Sequence, residues 1–78
     1  MQRIRLIWDF RGPNAKPIAE HHCRHLTDFI NAEGLQRSFS FVETVSDMHH
    51  MAILVVEEDR VEALRETLKP HRGQLHTE

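Results

Sequence analysis

Six consecutive apolar residues at 51–56 (MAILVV) constrain this chain more than any other feature. Read as a strand over 50–57, they put Met51, Ile53 and Val55 on one face and Ala52, Leu54 and Val56 on the other. Both faces are apolar, which is the pattern of a strand buried on both sides. The chain has 78 residues, which suits one domain over 1–78. With 40% apolar and 28% charged residues it reads as globular, not disordered. A domain this small buries only about 60% of the surface its unfolded chain exposes, so its core is marginal.

The other elements follow from periodicity and punctuation. Residues 3–10 alternate, with Ile4, Leu6, Trp8 and Phe10 on one side and Arg3, Arg5, Ile7 and Asp9 on the other, which predicts a half-buried strand. Turn residues at 11–14 (RGPN) break it. A helix is predicted over about 15–33, with Asn14 as N-cap and Pro17 in the first turn. Its apolar stripe is Ala15, Ile18, Ala19, His22, Leu26, Phe29 and Ile30. Gly34 suits the left-handed position after it, followed by apolar Leu35. Residues 37–45 predict a second strand, joined to the third by a short turn at 46–48. Asp59 and Glu62 form a capping-box pattern for a second helix with a stripe of Val61, Leu64 and Leu68, stopped by Pro70. The tail at 71–77 predicts a short fourth strand.

The order β-α-β-β-α-β predicts a ferredoxin-like α+β fold, a four-stranded antiparallel sheet with two helices on one face. The tight hairpin between the second and third strands requires them to be antiparallel. The other sheet face then carries a strip formed by Ile7 and one apolar set from the third strand. A contiguous strip of that kind is rarely left wet, so a homodimer through the open face is expected. In its element order and apolar open face the chain resembles the superfamily of dimeric α+β-barrel and regulatory ferredoxin-like domains. That resemblance implies a range of roles, from small-ligand sensing to isomerase and monooxygenase chemistry, and fixes none of them.

Ten Lys and Arg oppose twelve Asp and Glu, a net charge of −2. The excess of base falls in 1–39 and of acid in 40–78, so the halves attract each other. No dense basic patch suits nucleic acid, and the sheet lacks stacking aromatics on its first and third strands. The single cysteine, Cys23, excludes an intrachain disulfide and reads as a packing residue. With no secretory signal and no apolar run of bilayer length, a cytoplasmic protein without a membrane partner is expected.

Seven histidines in so short a chain are unusual. The topology gathers Asp9, Arg11, Asp47, His49, His50, His71 and Arg72 at one edge of the sheet. A small anion could bind there, with Trp8, Arg11, His49, His50, His71 and Arg72 as candidate ligand contacts. The competing account pairs Arg11 and Arg72 with Asp9 and Asp47 on a solvated rim. His22 lies inside the apolar stripe, so with Asp9 as orienting partner it is the candidate catalytic pair of a cofactor-free isomerase or lyase. The competing account is a core histidine satisfied by hydrogen bonds. His21 and His25, one helical turn apart, are candidate ligands for a divalent metal, although no third ligand is fixed by spacing. No other cofactor is predicted. The leading expectation is a binding or regulatory domain for a small anionic molecule.

Overall fold

The computed structural model describes residues 2–77. The elements are β1 (Arg3–Arg11), α1 (Ala15–Glu33), β2 (Phe39–Ser46), β3 (His49–Glu57), a 3-10 turn (Glu58–Arg60), α2 (Val61–Leu68) and β4 (Arg72–Leu75). The strands form one sheet in the order β2-β3-β1-β4, every neighbour antiparallel. Both helices serve the same core, which defines the ferredoxin-like α+β fold. No helix among the described residues is long and apolar enough to cross a membrane.

β3 and β1 occupy the centre of the sheet, as the apolar run requires. On the helix side Leu6, Trp8, Ala52, Leu54 and Val56 meet Leu26 of α1 and Leu64 of α2. Ala52 and Ala19 leave room for the helix to come close, and both are fully buried. The α1 stripe holds except at Ile18, which is half exposed because it sits at the stripe's margin. Cys23 packs against the core and donates its thiol proton to Ser40 Oγ at 3.4 Å. Gly34 ends α1 with φ 62°, and the Leu35 N–H closes the turn on the Ile30 carbonyl at 3.1 Å.

The second helix starts later than the capping pattern predicts. Asp59 lies inside the 3-10 turn, Arg60 occupies the N-cap, and no side chain caps the helix. β3 delivers the chain at the sheet edge in a tight turn, so the first helical residue is Val61, which packs on the core. Asn14 does hold the N-cap position of α1, again without a side-chain cap bond.

The open face carries the expected strip of Ile7, Met51, Ile53 and Val55, with Phe41 packed against it. Ile7, Ile53 and Val55 are nonetheless fully buried within a single chain. The register explains how. Arg5 faces Val55, and Phe39 faces Val55 from the other side, so guanidinium and ring flank the strip in one row. The Arg3 guanidinium lies 5.1 Å from the Phe39 ring centre and that of Arg5 5.6 Å from Phe41. Arg5 also reaches Glu43 at 3.6 Å, and Arg37 pairs with Glu57 at 3.1 Å. These pairs join the basic first half to the acidic second half. Within the chain, arginine stems and phenyl rings lie over this strip.

Candidate functional site

The sheet edge predicted to gather polar groups does so around Asp9. β1 sets Asp9 opposite Met51, β3 opens with His49 opposite Arg11, and β4 sets Arg72 opposite Ile7. All three side chains are on the open face and converge on the diagonal. His49 Nε2 lies 2.7 Å from Asp9 Oδ1, and Arg72 donates from Nε to Oδ2 at 3.0 Å and from Nη2 to Oδ1 at 3.1 Å. The Arg72 hydrogen bonds hold the Asp9 carboxyl well below the usual carboxylate range, with His49 adding to them against the opposing effect of burial. The Arg72 guanidinium is in turn held in its charged form by Asp9. Arg72 Nη2 also touches the Met51 sulfur at 3.1 Å.

His71 joins the cluster differently. Its backbone N–H donates to the Ile7 carbonyl at 2.9 Å, and its ring Nδ1 accepts the Asp9 backbone N–H at 2.9 Å. The imidazole thus takes up a strand donor just past the end of the β1–β4 ladder. His50 faces the opposite way from His49 and is buried. Its Nδ1 lies 3.0 Å from Thr44 Oγ1, and its Nε2 lies 3.3 Å from the Asp47 carbonyl, which locks the hairpin. Trp8 is also structural, since its indole N–H donates to the Leu68 carbonyl at 3.3 Å and ties α2 to the sheet. Arg11 is exposed, and among the described residues no ion pair joins it to Asp47.

The structure does not bring His22 and Asp9 together. Successive strand residues face opposite ways, so Asp9 looks to the open face while Trp8 and Phe10 look to the helices. His22 packs there, with ring centres 4.8 Å from Trp8 and 5.7 Å from Phe10. Its Nε2 is buried with no hydrogen-bond partner. Burial pushes its pKa down, and the nearby His25, His71 and His21 push it further the same way. Asp9 is instead committed to His49 and Arg72, so the imidazole beside the carboxylate is His49. On α1 the His21 and His25 rings lie 4.5 Å apart. Among the described residues no group of three or more His, Cys, Asp or Glu could hold a metal.

A groove of about 540 Å³ opens between α2 and β4. It exists because α2 has only eight residues and β4 only four. Gly73 faces Leu6 across the ladder and so stands on the helix side of the sheet, where it adds no side chain to the floor. Ile4, Val61 and Leu75 give the walls an apolar character, and Leu75 is more than half exposed. Arg65, midway along α2, and His71, just before β4, also line the groove. Glu58 lines it too, following Glu57, which pairs with Arg3 at the start of β1. Arg65 has no ion-pair partner among the described residues. Of these residues the sequence had singled out His71 and Arg72 for ligand contact. Arg65 and Gly73 were missed, because a flanking helix position and a lone strand glycine carry no pattern.

Comparison with protein-family models, with curated proteins and with solved structures found no match to this chain.

Proposed function

We propose that this chain is a binding domain for a small organic anion, held in the α2–β4 groove. The observation that carries the reading is a groove of about 540 Å³ with mixed polar and apolar walls and a guanidinium at its rim that has no ion-pair partner among the described residues. Ile4, Val61 and Leu75 would enclose an aryl or short alkyl body. Arg65 would take the carboxylate or sulfonate in a two-point contact, with His71 in the same lining. Glu58, a further lining residue, would favour a ligand with a hydroxyl or ammonium group as well. The Asp9 cluster anchors β4 and so fixes one wall. Arg72 is already neutralised by Asp9, which is why the anion is assigned to Arg65.

Anilinonaphthalene sulfonate, an aryl anion, is a suitable probe. Wild-type protein should bind it with a fluorescence rise, and Arg65→Glu should weaken binding at least roughly tenfold, about 1.4 kcal/mol. Gly73→Val should also weaken it by filling the floor. An added Cβ at Gly73 would meet Leu6 Cδ2 at 3.8 Å, an ordinary contact, so the fold should tolerate the change. Unchanged affinity in both variants would overturn the reading.

A further inference from the structure

We propose that His21 and His25 form a bidentate surface chelate for a divalent ion of square or octahedral preference, copper(II) or nickel(II) ahead of zinc(II). The two residues are one turn apart on α1, a helix of nineteen residues whose inner face is fixed by Ala15, Ala19 and Leu26. Both side chains are exposed, so the ion reaches them without opening the core. Their ring centres already lie 4.5 Å apart.

That spacing selects a coordination angle. Metal–nitrogen bonds of about 2.0–2.1 Å place an ion about 3.2 Å from each imidazole centre. A right-angled bite then separates the two centres by about 4.5 Å, and a tetrahedral bite by about 5.2 Å. The observed 4.5 Å separation equals the right-angled value for rings whose coordinating nitrogens both turn towards the ion. Right angles are the geometry of tetragonal copper and nickel, whereas structural zinc favours the tetrahedron. Intrinsic affinity for nitrogen donors also places copper ahead of zinc. Among the described residues no third side chain completes a group of three donors. The remaining coordination positions would therefore belong to water or to a small exogenous donor, and the ion would exchange readily. This chelate is on exposed positions of α1, shares no residue with the α2–β4 groove, and stands independently of the anion-binding reading.

Nickel titration of the full chain by calorimetry at neutral pH tests it. One nickel ion per chain is expected, with zinc bound more weakly. His21→Ala and His25→Ala should each lower nickel affinity at least tenfold, because one imidazole loses the chelate. His76→Gln should leave the affinity within twofold. Helix circular dichroism should show that both exposed-site variants stay folded, and nickel should raise the melting temperature of the wild type and of His76→Gln but not of His21→Ala or His25→Ala. Undiminished affinity in either single variant would overturn the proposal, as would equal loss in His76→Gln or tighter zinc than nickel.

Discussion

Asp9 joins three strands through one carboxylate, taking His49 from β3 and Arg72 from β4 while it sits in β1. Its depressed pKa means that this clamp stabilises the fold fully above the ordinary carboxyl value of 3.8 and is lost as pH falls below it. Asp9→Asn should therefore cost about 1–2 kcal/mol at neutral pH, a modest figure because Arg72 is partly solvated. Urea unfolding at neutral pH should show the loss, and the variant should lack the wild type's decline below 3.8. His22 has the opposite charge type and its own window. Its folded pKa lies below the ordinary 6.5, so the unfolded chain binds the proton better. Stability should fall as pH drops below 6.5 and level off beneath the folded value. His22→Leu should remove that decline while leaving neutral-pH stability within about 1 kcal/mol, since the buried Nε2 has no partner to lose. A pH slope between neutrality and mild acid that survives the substitution would show the proton goes elsewhere.

The two helices end in the same left-handed turn with different residues. Gly34 adopts φ 62° at no steric cost, and Lys69 adopts φ 52° against its own Cβ. Lys69→Gly should gain, and Gly34→Ala should lose, about 1 kcal/mol each, read as opposite shifts in melting temperature. Element positions were largely legible in the sequence because period and punctuation are local. Alternation fixed the faces of β1, the double-sided run fixed β3, and Gly34 fixed the end of α1. The start of α2 was not legible, because the Asp59–Glu62 spacing is satisfied equally by a helix start and by a 3-10 turn feeding one. The candidate site was legible in part. Asp9, His49, His71 and Arg72 converge as the topology implied. The His22–Asp9 pair failed on strand parity, a constraint already present in the alternation of residues 3–10.

At the scale of the molecule, the sheet has one face sealed by helices and the other sealed by its own long side chains. Arg5 is central to that second seal, flanked by Phe41, Glu43 and His76. Cutting it back in Arg5→Ala should uncover Val55 and Ile53 and promote self-association, read by sedimentation velocity at micromolar concentration. Identical sedimentation of variant and wild type would show that the guanidinium does not form the roof. The sequence concealed this arrangement because Arg3 and Arg5 read as solvent-facing positions. Only the cross-strand register reveals that they lean over neighbouring rings.

The imidazole of His71 standing in for a main-chain acceptor has a further effect. A four-residue edge segment has little intrinsic hold on its alignment and could slide by two positions without turning its side chains over. Here such a slide would strand the Asp9 amide and pull Arg72 off its carboxylate in the same motion. The short final strand is thus pinned by two side chains acting as dowels, and the groove wall it forms inherits that fixed position.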